Sequence, residues 1–339
     1  MTLGASMAGV KYIPQVVLVV LLLCLIQLTA ACGSVEKERT AEVGYSVTDI
    51  TGRTIHFDAP PQRIVTLSST LDQIVLSVLP PERMVAINAS MKEHINSNMV
   101  GIADQVAETI ERPSVEYIVS LHPDIVLIAD WQYLELADPL RDAGLKVVIG
   151  RGPHNLAEVR DLVRLTTDAI GESRRGDILL RKMDEKLAEI TEKVRAIPES
   201  ERKTVVFLSL MPSYGGIGSS FDDACHYAGV INGVSAFGLR NGQEVTKEVI
   251  LAINPDILFL PDYPWKGEEW LAAYIRSYTE DPALRPLKAL QNRHLVTPRS
   301  SFLYNCSQDF VYGVQEIAYR VYGDDFYLSD DAHISAVDE

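Results

Sequence analysis

Basic residues are scarce in this chain: 31 Lys and Arg stand against 46 Asp and Glu, a formal net charge of −15. So acidic a surface repels nucleic acid and anionic lipid, which removes both from the expected partners. Histidine is scarce too. The seven present are scattered, without the clustered nitrogen and oxygen donors of a bare zinc or manganese site. The longest apolar run near the start, residues 16–26, falls short of the ~20 residues that a membrane span needs. The glycine-rich stretch GGIGSS at residues 215–220 lies where a strand gives way to a helix, as a phosphate-binding loop would. It lacks the Gly-Lys-Ser/Thr ending and does not spell GxSxG, so neither nucleotide chemistry nor a nucleophile elbow is supported.

What is present at the N-terminus is an export pattern. Lys11 precedes the short apolar run, which ends in LTAAC with the cysteine at Cys32. Small residues before a cysteine resemble a bacterial lipobox, with Thr29 where that motif more often has Leu. Residues 1–31 are therefore expected to be a lipoprotein signal peptide, Cys32 the lipidated residue and residues 32–44 a charged tether. An uncleaved anchor helix is the alternative, and both readings place the remainder outside the cytoplasm, held at a bacterial membrane. Losing residues 1–31 takes away Lys11 alone and leaves a net charge of −16. Cys24 leaves with the signal. Cys225 and Cys306 then remain, either as one disulfide in an oxidising compartment or as two buried thiols.

The chain also repeats itself. Residues 114–130 read SVEYIVSLHPDIVLIAD and residues 246–262 read TKEVILAINPDILFLPD, with six of seventeen positions identical at an offset of 132. Average usage gives roughly one match by chance. So long a period means two similar lobes, not a solenoid. In each copy Ser114 or Thr246 caps a helix with apolar residues at helical spacing. Pro123 or Pro255 stops it. A short apolar run follows, read as a strand covered on both faces. Asp130 and Asp262 then stand at the carboxyl ends of central strands, the edge at which open α/β sheets bind ligands.

Around the repeat, residues 45–49 and 54–57 form an expected hairpin. Runs at 63–68, 84–88, 125–130 and 145–150 alternate with helical segments as a parallel α/β lobe over residues 45–153. Runs at 204–210, 257–262 and 294–297 repeat the scheme over residues 201–328, and residues 329–339 form an acidic tail. Residues 154–200 are helical. Met183, Leu187, Ile190 and Val194 mark one apolar face, and a helix over 174–196 would span about 35 Å, enough to carry the chain from lobe to lobe.

The segments YSVTDITGRT from Tyr45, PQRIVTLS from Pro61 and PDIVL from Pro123, in this order behind a lipobox, resemble the helical-backbone (class III) periplasmic substrate-binding proteins. These serve ABC importers of iron–siderophores, haem and cobalamin. The resemblance runs from about Tyr45 to Tyr322. It implies two chelatase-like parallel-sheet lobes joined by one long backbone helix, a ligand cleft between them and no catalysis. It also implies an acidic residue on each lobe docking against a permease that works with its ATPase. In the first lobe the family's SxSxTE pattern is met by SSTLDQ, which leaves Gln73 at the usual glutamate position and the carboxylate on Asp72. In the second lobe SSFDD offers Asp222 and Asp223, with Asp223 preferred.

Matching strand ends across the repeat gives the cleft candidates. Trp131 and Tyr133 follow one aspartate, and Tyr263 and Trp265 follow the other, which suits a broad planar or aromatic ligand. Arg151 and Arg299 each follow a strand, placed to bind carboxylates or to pair with Asp130 or Asp262. Other strand-end loops contribute Ser69, Met91, His94, His154, Met211, Tyr214, Ser220 and Tyr304, among which Tyr and His are able to ligate iron. The expectation is a monomeric, lipid-anchored importer subunit without an intrinsic cofactor, whose cargo is an iron or cobalt chelate. A sensor for the same cargo, or a two-lobed α/β metalloenzyme, are the alternatives.

Overall fold

The computed structural model describes residues 44–211 and 213–339. The expected signal peptide, Cys32 and all of the tether but Gly44 lie outside them. Strands β1 (Tyr45–Thr48) and β2 (Thr54–Phe57) pair antiparallel as the expected hairpin. Asp49 builds its turn: one carboxylate oxygen accepts from the N–H groups of Thr51 and Arg53, and Arg141 closes on the other at 2.9 Å.

The first lobe is a five-stranded parallel sheet in the order β5 (Glu108–Ile110), β4 (Met84–Asn88), β3 (Ile64–Thr66), β6 (Ile125–Ala129), β7 (Val147–Gly150). The second is a separate parallel sheet in the order β9 (Ile231–Asn232), β8 (Thr204–Phe207), β10 (Ile257–Phe259), β11 (Leu295–Val296). Overlaid through the repeat, β4-β3-β6-β7 corresponds to β9-β8-β10-β11, so the second lobe is the first without its outer strand. Two separate sheets of one order are what a doubled half produces.

Helix α1 (Ser69–Leu76) leaves β3, and α2 (Val115–Ser120) precedes β6. Between the lobes run α3 (Leu156–Ala169) and α4 (Ser173–Arg195), and the latter lies within one residue of the expected strut at each end. They cross closely: a Cβ at Gly176 would fall 2.2 Å from the Thr167 hydroxyl oxygen, so only glycine fits there. In the second lobe α5 (Ser220–Tyr227) leaves β8, α6 (Lys247–Ile253) precedes β10, and α7 (Glu268–Thr279) follows it. The short α8 (Ser300–Leu303) and the long α9 (Phe310–Tyr322) complete the fold.

The repeated residues do repeated jobs. Ser114 caps α2 by accepting from the Tyr117 N–H, and Thr246 caps α6 through the Val249 N–H. Asp124 accepts from the N–H groups of Gln62 and Arg63 at the start of β3, and Asp256 from that of Thr204 at the start of β8. Each Pro-Asp pair thus ends a helix and ties its strand to the neighbour.

One apolar cluster runs through the molecule. It joins the inner face of the first sheet (Ile64, Ile125, Leu127), the buried face of α4 (Met183, Leu187, Ile190, Val194), the inner face of the second sheet (Val205, Phe207, Phe259) and α9. The outer face of each sheet has its own smaller cluster. The acidic tail lies along the seam: Ala336 N–H donates to the Ser77 carbonyl at 2.7 Å and Ile334 N–H to the Asp309 carboxylate at 2.8 Å. Beneath it Asn98 donates to Asp309 and Gln308 to Ser77, each at 2.8 Å, so polar bonds also cross between lobes. Among the described residues no helix is long and apolar enough to cross a membrane.

Candidate functional site

A cleft of about 840 Å³ opens between the carboxyl edges of the two sheets and is lined from both lobes. The first lobe supplies Thr70 at the start of α1, Asn96, the β6 end with Asp130 and Trp131, and Gly152 to His154 after β7. The second supplies Leu210 and Met211 after β8, Tyr214, Ser220, Asn241, Tyr263 and Trp265 after β10, Ser300, Tyr304 and Cys306.

The strand-end aspartates fix this edge. Asp130 accepts from the Gly152 N–H at 2.7 Å, and Asp262 takes both the N–H and the hydroxyl of Ser300, so each strap ties one strand end to the loop after the next strand. Trp131 lies over the strap: a Cβ at Gly152 would fall 2.7 Å from its ring, so glycine there lets the indole lie flat on the backbone. About half of its side chain is exposed, and the same holds for Trp265 on the opposite lobe. Trp265 meets Trp270 edge to face, and Lys266 sits 4.3 Å from its centroid. Two half-exposed indoles at one cleft mouth suit an apolar, planar partner.

The deeper second-lobe wall is phenolic. Tyr214 and Tyr304 lie 5.4 Å apart between ring centroids, with Phe207 packed against both. The Tyr214 hydroxyl bonds the Ser220 hydroxyl at 2.9 Å, and that of Tyr304 bonds the Ser209 hydroxyl at 3.1 Å. Burial pushes both phenols well above their ordinary range and raises the Cys306 thiol beside them, so all three stand neutral at physiological pH.

The structure gathers Trp131, Tyr214, Ser220, Tyr263, Trp265, Tyr304, His154 and Met211 into the cleft, and Ser69 into a small annex that adjoins it. Other candidates fall elsewhere. Met91 is wholly buried in the first-lobe core, because its short 3-10 turn faces inward. Tyr133 takes a left-handed backbone conformation that turns its ring onto the first lobe's outer cluster. His94 is exposed and Arg151 is exposed, and neither lines the cleft. Arg299 is consumed by Glu316, a fully buried carboxylate, and by Asp330, and pairs with neither strand-end aspartate. Asn96 and Asn241 were not anticipated, since they sit in irregular loops without a periodic signal, and Leu210 reaches the cleft because the strand expected to 210 ends at Phe207.

The docking and disulfide candidates also change. Asp72 is completely buried, bonded to the Thr66 hydroxyl and the Asn88 N–H, and burial pushes its carboxyl up to about 8. The one-residue offset from the family position turns it about 100° into the core. Gln73 is buried against the annex of the cleft. Asp222 accepts from the Asn232 amide, and Asp223, partly exposed, accepts from the Leu156 N–H at the start of α3. Cys225 and Cys306 are not bonded to each other: the first faces the core from α5 while the second lies on the cleft wall. The glycine-rich loop has a packing role. A Cβ at Gly216 would fall 2.6 Å from the Leu239 carbonyl, and Gly215 offers its carbonyl to Asn232.

Two parallel-sheet lobes on one helical strut, with an aromatic cleft at their strand ends, define a two-lobed binding protein. The chain belongs to the periplasmic binding protein family, whose model matches residues 64–301. It is 22% identical over 312 residues to the uncharacterized ABC transporter substrate-binding lipoprotein YvrC of Bacillus subtilis (strain 168), covering 88% of this chain and 94% of that one. Among solved structures it resembles the periplasmic heme-binding protein RhuT of Roseiflexus sp. RS-1, with a TM-score of 0.65, 22% identity and coverage of 77% of this chain and 98% of that one. It also resembles an ABC-type Fe3+-hydroxamate transport system protein of Saccharomonospora viridis, with a TM-score of 0.61, 20% identity and coverage of 83% and 99%. Its relatives are binding proteins, not enzymes.

Proposed function

We propose that this chain is the extracytoplasmic, lipid-anchored substrate-binding protein of an ABC importer, and that it delivers a metal chelate (a ferric siderophore, haem or cobalamin) to a membrane permease. One observation carries the reading: the 840 Å³ cleft is walled by both lobes and presents Trp131 and Trp265 from opposite sides. That volume suits a large chelate and exceeds what a bare ion needs. The lobes supply shape and aromatic surface, and no group of three or more His, Cys, Asp or Glu able to hold a metal exists among the described residues. The metal therefore comes already wrapped. The lipid at Cys32 keeps the protein near its permease and raises the local concentration.

The test uses the full mature chain without lipid, titrated with a ferric trihydroxamate, haem and cyanocobalamin. Binding is read as quenching of tryptophan fluorescence and as a change in the chelate's absorption spectrum. At least one chelate is expected to saturate at 1:1 with micromolar or tighter affinity, and replacing Trp131 and Trp265 together by Ala is expected to weaken it about a hundredfold, two stacking contacts of ~1.4 kcal/mol each. Failure of all three chelates to bind would defeat the reading.

A further inference from the structure

The cleft continues into an annex of about 150 Å³ between the lobes, sharing Thr70, Asn96, Tyr263, Ser300 and Tyr304 with it. Every residue on the annex wall is a serine, threonine, tyrosine, asparagine or glutamine, so the wall carries hydroxyls and carboxamides and no charge at neutral pH. Two of its side chains are built in but unused. Gln73 is 4% exposed and Ser301 6% exposed, and neither the carboxamide of the one nor the hydroxyl of the other bonds any described residue. Their polar atoms open onto the annex and its water, so each is free to exchange that water for a partner that arrives with the cargo. The first turn of α1 adds to this, because Ser68 provides no side-chain cap to its N–H groups.

Charge decides what that partner is. Among the described residues no Lys or Arg lines the cleft or the annex. Lys266, next to Trp265, lies against the Trp265 and Trp270 rings, and Arg299 is held by Glu316. On the negative side stand Asp130 in the wall and Asp262 behind Ser300. A carboxylate brought here would lose its water with two carboxylates nearby and no cation to meet it, an expensive transfer.

We infer that the annex is a second compartment of the cargo site, which takes an uncharged amide or hydroxyl substituent, and that the cargo is a neutral or cationic chelate bearing such groups. The inference rests on the proposed function and narrows it. At ~30 Å³ per water, the annex holds about five waters, the room of one short amide-bearing arm. Gln73 and Ser301 would each give and accept a hydrogen bond with that arm. A porphyrin with two free carboxylates is disfavoured by the same walls.

The probes are ferric desferrioxamine B, a cationic trihydroxamate with amide groups, cyanocobalamin, an uncharged corrin with carboxamides, and haem. Dissociation constants are read by tryptophan quenching at neutral pH on the mature lipid-free chain, with Gln73→Leu and Ser301→Ala beside the wild type. One of the first two probes is expected to bind at least tenfold tighter than haem. Each substitution is expected to weaken that probe about tenfold, one hydrogen bond, with the thermal midpoint unchanged. Haem binding tightest would overturn the charge argument while leaving chelate import standing. A neutral or cationic probe bound equally well by both variants would overturn the annex. Should Gln73→Leu fail to fold, Ser301→Ala and the probe ranking still decide. No binding of any probe would bring down the proposed function and this inference with it.

Discussion

Asp72→Asn is a substitution whose effect the structure fixes in sign. The carboxyl is fully buried against Thr66 and the Asn88 N–H, and burial pushes it from 3.8 up to about 8. In the unfolded chain it ionises near its ordinary value, so between about pH 4 and 8 the unfolded state loses a proton that the folded state keeps. The stability this group contributes is complete below about pH 4 and is lost as pH rises through about 8, with a limiting slope of about 1.4 kcal/mol per pH unit. An asparagine does not titrate. Its amide oxygen can still accept from Asn88, and its NH2 can donate to the Thr66 hydroxyl. Relative to wild type the variant should therefore gain stability steadily from about pH 5 to 8, on the order of 2–4 kcal/mol across the range. Urea unfolding of both proteins at several pH values isolates the difference, because other carboxylates cancel between them. A difference that stays flat would mean that Asp72 is ionised in the fold, and the reasoning would fail.

Two further outcomes are expected. Asp223→Asn keeps an acceptor for the Leu156 N–H, so it should leave cargo affinity and the thermal midpoint unchanged while cutting uptake in cells several-fold if this carboxylate docks on the permease; full uptake would remove it from that role. Deleting residues 332–339 removes the bonds to Ser77 and Asp309 and the buried Ile334, and should cost on the order of 2–4 kcal/mol in urea unfolding; an unchanged midpoint would show that the tail is only adsorbed.

How much of this was legible depended on whether a residue's job was local. The caps at Ser114 and Thr246, the stops at Pro123 and Pro255 and the apolar face of α4 are properties of a few consecutive residues, and the structure has them where the sequence put them. Strands β5 and β9 escaped notice because each is a two- or three-residue edge strand with a single apolar residue, whereas the equally short β11 carries two in a row. The cleft was half legible. The repeat aligned strand ends, and so placed Trp131 against Trp265 without any coordinates. It failed for Arg299 and Tyr133, whose side chains are directed by partners far along the chain or by a left-handed residue that spacing does not reveal. Met91 and Asp72 failed for a related reason: a loop or first-turn position says that a residue is near the cleft but not which way it points.

The same seam that hid these details bears on how cargo is captured and released. A single helix between lobes would still allow a hinge. Here the inner faces of both sheets share one core with α4 and α9, Asn98 and Gln308 bond across the seam, and the tail lies over it. Swinging the lobes apart would break that core, at ~25 cal/mol for every Å² of apolar surface exposed, together with several buried hydrogen bonds. Cargo binding through a few stacking contacts cannot supply so much. The cleft walls are therefore preorganised, and affinity comes from fit to a fixed gap rather than from closure.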